Sequence, residues 1–133
     1  MTEKVIGAFF KVYNRLGYGF AEKVHENSLA IELRKLGLQV EQQKSITVYY
    51  EEYNVGEYFA DILVNGTVIL ELKAVRHLLD EHEAQLLNYL KATTIEVGLL
   101  LNFGPKAEYR RKVYDNELKG TLTWTNPGQT INQ

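Results

Sequence analysis

Three charged residues stand inside apolar sequence in the stretch Tyr58-Phe59-Ala60-Asp61-Ile62-Leu63-Val64-Asn65-Gly66-Thr67-Val68-Ile69-Leu70-Glu71-Leu72-Lys73. In an extended strand side chains alternate between faces, so Glu71 and Lys73 share one face while Leu70 and Leu72 take the other. Asp61 lies on the preceding strand, and its side depends on the hairpin register. A two-residue turn on Asn65-Gly66 pairs Val64 with Thr67 and sends Asp61 and Glu71 to opposite faces. A three-residue loop, with Gly66 in the left-handed bulge position, returns them to one face. In that second register two carboxylates and an ammonium share a site. In the bland alternative the three charges decorate a solvated face, with Glu71 and Lys73 as a weak ion pair.

More carboxylates bear on the choice. On the helical pattern from Phe20 to Leu36, positions 22, 26, 29, 33 and 36 form one stripe whose later members are Leu29, Leu33 and Leu36. Glu22 and Glu26 therefore extend a core-facing stripe. An unpaired carboxylate there is costly, and clustering several raises their proton affinity, unless a bound cation neutralises them. Glu22, Asp61 and Glu71 around a magnesium ion, or manganese in its place, resolve that cost. Because the chain has no Cys, a metal finds only oxygen and imidazole ligands, which points to a hard cation.

Several elements must position these groups. Val5, Phe9, Val12 and Leu16 recur at helical spacing behind Thr2, and Gly17 and Gly19 break this first helix before the second, which stops at Gly37. Ser45 to Tyr50 and Tyr58 to Val64 read as strands, Val68 to Lys73 as a third, and Leu79 to Ala92 as a helix. Ile95 to Phe103 is an almost unbroken apolar run, as expected of a central strand buried on both faces, and Gly104-Pro105 ends it. Tyr109 to Tyr114 reads as an edge strand, Thr121 to Thr125 as one more. The order α-α-β-β-β-α-β(-β) gives an α/β (α+β) domain, a central mixed sheet flanked by helices. One domain is expected over residues 1–125, with a flexible C-terminal tail over 126–133.

Composition narrows the field. Across 133 residues, 45% hydrophobic and 24% charged residues fit a globular domain and exclude disorder or a collagen-like repeat. Fifteen Lys and Arg against seventeen Asp and Glu leave a net charge of -2, so no global field holds a polyanion, and any such binding is local. Met1 to Phe10 lacks the apolar core of a signal peptide and no run is long enough to span a bilayer, which gives a cytoplasmic expectation and no membrane partner.

The residues also carry a resemblance. Gly19-Phe20-Ala21-Glu22-Lys23-Val24-His25 resembles the opening motif of the Gly-x-x-Glu-x-x-Tyr (GxxExxY) proteins. Asp61 with Glu71-Leu72-Lys73 resembles their PD-(D/E)XK nuclease signature. Gln85-Leu86-Leu87-Asn88-Tyr89 is similar to the Gln-x-x-x-Tyr motif of RecB-like members of that superfamily. The likeness runs from about Val5 to Tyr114, with two departures: His25 stands where the family has Tyr, and Ala60 precedes Asp61 in place of Pro.

The resemblance implies a restriction-endonuclease-like core and a magnesium- or manganese-dependent nuclease acting on nucleic acid, with DNA the expected polymer. It implies Asp61, Glu71, the main-chain carbonyl of Leu72 and Glu22 as metal ligands. Lys73 orients the attacking water or neutralises charge on the phosphorane, and Gln85 and Tyr89, one turn apart, hold the nucleophile or the phosphate. His25 is an auxiliary position, weighed as a phosphate or water contact and favoured as structural. Arg110, Arg111 and Lys112, with Lys106, form the dense positive cluster, read equally as a grip on the nucleic-acid backbone or as charges protecting an edge strand. The competing class is a noncatalytic nucleic-acid-binding or protein-interaction module that keeps the fold. A homodimer or a partner protein is compatible with the modest charge.

Overall fold

A computed structural model describes residues 1–119; the expected strand at Thr121 to Thr125 and the tail over 126–133 lie outside the described residues. Two helices open the chain, α1 (Thr2–Leu16) and α2 (Glu22–Lys35). They are followed by β1 (Val40–Tyr50), β2 (Tyr53–Val64), β3 (Val68–Lys73), α3 (Asp80–Lys91), β4 (Val97–Phe103) and β5 (Ala107–Val113), with a short 3-10 turn at Asn116–Leu118. The strands form one sheet in the order β1-β2-β3-β4-β5. Among the described residues only β3 and β4 run parallel, joined by the crossover helix α3; the other neighbours are antiparallel.

Strand alternation divides the core into two layers. Ile62, Val64, Leu70, Leu72, Leu99, Leu101 and Phe103 pack with Val5, Phe9, Val12, Leu29 and Leu33 of α1 and α2. On the opposite face Leu63, Ile69 and Leu100 pack with Leu86, Tyr89 and Leu90 of α3. Covered on both sides, β3 and β4 carry almost nothing but apolar residues, so Glu71 and Asn102 are exceptions that need a reason.

The hairpin register is decided at Asn65-Gly66. Both residues are left-handed, with φ 51° and 65°, and the Thr67 N–H donates to the Val64 carbonyl at 2.9 Å. The ladder resumes one residue later, with Val64 opposite Val68 and Ile62 opposite Leu70. Thr67 is thus an extra residue, the loop has three residues, and Asp61 falls on the face of Glu71. The Asn65 side chain accepts the Gln39 N–H at 2.7 Å, which pins the loop to the start of β1.

β1 begins earlier than its apolar residues indicate, because Val40 to Lys44 pairs along β2. Gln43 sits there at φ 53°. Across this point β1 changes layer: Val40 packs with the α1 and α2 core, whereas Ile46 and Val48 pack with the α3 core. The beginning of β5 confirms the sense of Gly104-Pro105 as a stop, yet Gly104 does more. A Cβ on it would lie 1.9 Å from the Val75 carbonyl oxygen, so only glycine lets β4 pass the turn after β3. Gly104→Ala is expected to destabilise the protein by about 1–3 kcal/mol, because backbone must move, measured as a lower urea midpoint; an unchanged midpoint would show that the turn yields freely.

Candidate active site

Asp61 and Glu71 project from neighbouring strands onto the α3 face of the sheet. The Asp61 Oδ2 accepts the Leu72 N–H at 2.7 Å, a charge-assisted bond that ties its carboxylate to the backbone beside Glu71. Glu71 is 5% exposed, and its Oε1 has no hydrogen-bond partner. Burial pushes its carboxyl up to about 9, the negative charge of Asp61 adds to the rise, and Lys73 opposes it only in part. At neutral pH Glu71 therefore keeps its proton in the metal-free protein.

Helix α3 closes the other wall. Lys73 Nζ donates to Gln85 Oε1 at 3.4 Å, so the ammonium is directed along the helix rather than paired with a carboxylate. Tyr89, one turn on, is buried; burial first, then the charges of Glu71 and Asp61, push its phenol up to about 12 and keep it a neutral donor. The edge of its ring meets Tyr58 of β2, with centroids 5.4 Å apart. Asp61, Glu71, Lys73, Gln85 and Tyr89 are thus linked between the β2–β3 hairpin and α3 by hydrogen bonds and charge interactions.

The expectation that Glu22 faces the core is corrected. Glu22 lies in the first turn, exposed and unbonded among the described residues, because α2 begins there and the helix has not yet reached the sheet. Glu26, one turn later on the same stripe, is the buried one. It accepts from Lys23 Nζ at 3.1 Å, Gln42 Nε2 at 2.7 Å and Gln43 Nε2 at 2.7 Å. The same Gln43 nitrogen lies 3.4 Å from Asp61 Oδ1, so one amide links the two carboxylates. Gln43 was not legible as a site residue: it lies in a polar run with no period, and its left-handed backbone is what turns its amide to this point.

Other expected positions separate. His25 is fully buried away from the carboxylates; its Nε2 donates to the Gly17 carbonyl at 2.9 Å and its ring stacks on Phe103 at 4.2 Å. These contacts are of the kind expected of the structural role favoured for this position. The basic cluster is split by strand alternation. Arg110 and Lys112 lie opposite Leu100 and Gly98 on the α3 face, while Arg111 lies opposite Leu99 on the other. Arg110 pairs with Glu108 at 3.9 Å and Lys112 with Glu83 of α3, so two of the three already have acidic partners.

Among the described residues no three His, Asp or Glu side chains form a complete metal cage. What exists is a carboxylate pair with an orphaned buried oxygen beside the Leu72 peptide. A hard cation that retains part of its hydration shell fits such a donor set.

Comparison with known proteins agrees with this architecture. The crystal structure of SSO0001 matches with a TM-score of 0.56 and 19% sequence identity, over 70% of this chain and 50% of that one, a likeness of fold alone. The chain thus spans about half the length of that protein. A search of curated proteins gives no match. A family model described as the PD-(D/E)XK nuclease superfamily matches residues 1–112, and the five-stranded mixed sheet between helical layers has the corresponding restriction-endonuclease-like form. By that match over most of its length, with Asp61 and Glu71-Leu72-Lys73 at the hairpin, the chain belongs to the PD-(D/E)XK nuclease superfamily.

Proposed function

We propose that the protein is a magnesium- or manganese-dependent nuclease of the GxxExxY type that hydrolyses phosphodiester bonds in nucleic acid, DNA in the first instance. The observation that carries this reading is the buried, partnerless Glu71 oxygen beside Asp61, with Lys73 on the same face. Two carboxylates forced together, with Lys73 opposing their repulsion only in part, are poorly suited to holding a fold and well suited to holding a cation. Asp61, Glu71 and the Leu72 carbonyl would hold the metal, with Glu26 in the place first given to Glu22.

When bound, such a cation polarises the scissile phosphate and lowers the pKa of a coordinated water. The chain's own residues supply the rest. Glu71 gives up its proton as the site fills, Asp61 stays oriented by the Leu72 N–H, and Gln43 holds the distance between Asp61 and Glu26. Lys73, steered by Gln85, places its ammonium beside the developing charge. Tyr89, neutral throughout the working pH range, donates to the phosphate or the nucleophile. Arg110 and Lys112 on the same face give weak backbone contacts.

A second reading has its own support: a noncatalytic module of the same fold, favoured by the lack of a three-carboxylate cage among the described residues. Calorimetric titration with magnesium or manganese separates the two, because the module has no reason to bind either ion.

Lys73→Ala is expected to leave the thermal midpoint within a few degrees of wild type and to lower cleavage of labelled single-stranded, duplex or branched DNA by about 100-fold or more. Unchanged cleavage would remove Lys73 from the mechanism. Glu71→Gln is expected to abolish cleavage and yet stabilise the metal-free protein. The sign follows from a folded-state carboxyl near 9 against an ordinary value of 4.5. Wild-type stability from this group is fully present below about 4.5 and is lost as pH rises toward 9, whereas Gln does not titrate. In EDTA the gap should be small at pH 5 and reach on the order of 3 kcal/mol at pH 7 by urea unfolding. Excess magnesium should narrow the gap by stabilising wild type alone. A gap independent of pH would show that Glu71 is ionised in the folded protein.

A further inference from the structure

A cleft of about 370 Å3 opens immediately beyond Lys73, lined by Tyr18, Phe20, Val75, Arg76, Phe103 and Gly104 among others. It lies where the parallel strands β3 and β4 both end, the end at which open parallel sheets take their ligands. Two of its walls are rigid. Asn102, fully buried, accepts the Val75 N–H at 2.9 Å and donates to the Val75 carbonyl at 2.8 Å, which continues the ladder into the 74–76 turn with a side chain. Tyr13 Oη lies 2.8 Å from the carbonyls of both Gly104 and Pro105 and fixes the opposite lip.

The third wall is aromatic and uncovered. Tyr18 is 60% and Phe20 48% exposed, although the loop that carries them is anchored by His25 on Gly17 and by the edge contact of Phe20 with the His25 ring. Arg76 is exposed, and among the described residues it has no hydrogen bond or ion pair. One free guanidinium beside two open aromatic faces matches the alternation of phosphate and base along a nucleic-acid strand. A duplex offers no such match, since its base faces are already stacked on one another.

We propose that this cleft seats an unpaired nucleobase of single-stranded nucleic acid, stacked on Tyr18 or Phe20 with Arg76 on the adjoining phosphate. The inference rests on the nuclease reading for the direction of the strand, which continues past Lys73 toward Asp61 and Glu71. It makes the strand with a free end or an unpaired stretch the preferred substrate class. The Asn102–Val75 pairing and the bare Gly104 are the devices that hold Arg76 in place.

Fluorescence anisotropy with labelled oligo-dT and with a blunt duplex, in EDTA at low salt, tests the cleft without chemistry. Tyr18→Ala is expected to weaken single-strand binding on the order of tenfold and Tyr18→Trp to retain it, with duplex binding unchanged. Arg76→Ala should weaken it too and lessen its salt dependence by about one phosphate contact. An unchanged single-strand affinity in a variant that melts like wild type, or an equal loss on the duplex, would overturn the proposal. Hydrolysis of bis(4-nitrophenyl) phosphate with manganese, a diester too small to span both sites, keeps the two ideas apart. If wild type does not hydrolyse it but Tyr18→Ala still loses single-strand affinity, the cleft stands and the nuclease reading falls.

Discussion

The rest of this structure depends on setting the Asp61 carboxylate beside the carboxyl of Glu71, which water hardly reaches. Moving the Glu71 carboxyl from 4.5 to about 9 corresponds to on the order of 6 kcal/mol between its charged and neutral forms, which is comparable with the whole stability of a small domain. Packing alone would not select that arrangement. It is enforced by register: one extra residue, Thr67, shifts the β2–β3 pairing so that Ile62 faces Leu70 and Asp61 accompanies Glu71. With a two-residue turn Asp61 would point into the layer of Leu29 and Leu33, and the hydrophobic sets of the two strands would no longer coincide. The same pairing that fills the α1 and α2 core therefore concentrates charge on the α3 face.

A second device works at the edge of the sheet. A non-glycine residue at φ 53° costs of order 1–3 kcal/mol, and such strain persists only where neighbours over-determine it. At Gln43 the neighbours are Glu26 and Asp61, both within reach of one amide nitrogen. The kink moves β1 from one core layer to the other and turns that amide inward at the same residue. Fold and site are coupled there through backbone geometry.

Much of this was legible in the sequence, and the exceptions share a cause. Periodicity gave α1, α2 and α3, and the apolar run gave β4, because those elements bury a continuous face that leaves a regular trace. The hairpin could be narrowed to two registers but not decided, since both are compatible with Asn65-Gly66 and only pairing with β4 and α3 chooses between them. Glu22 and Glu26 lie on one stripe, and where a helix starts relative to the sheet is a tertiary fact that spacing does not contain. Val40 to Lys44 left no trace because only Val40 reaches the core, while Gln42 and Gln43 serve Glu26. Asn102 did leave one, a single amide in the run from Val97 to Phe103, and its meaning became plain only with Val75 opposite.

Electrostatics then constrains what this scaffold can hold. With a net charge of -2, and with Arg110 and Lys112 already facing Glu108 and Glu83, phosphate contacts on the α3 face are too few to bind a polymer by counterion release. The distal β1–β2 ribbon makes this worse, since it bears Glu51, Glu52 and Glu57 beside its exposed Tyr50 and Tyr53. Affinity for a nucleic acid must then come from interactions that salt screens weakly, and stacking on open aromatic faces is the one the molecule offers next to Lys73. On the proposed reading a paired duplex offers less, because its base faces are already stacked on one another. The preferred strand is then one already open, whose bases can reach Tyr18 and Phe20 beside the turn that follows Lys73.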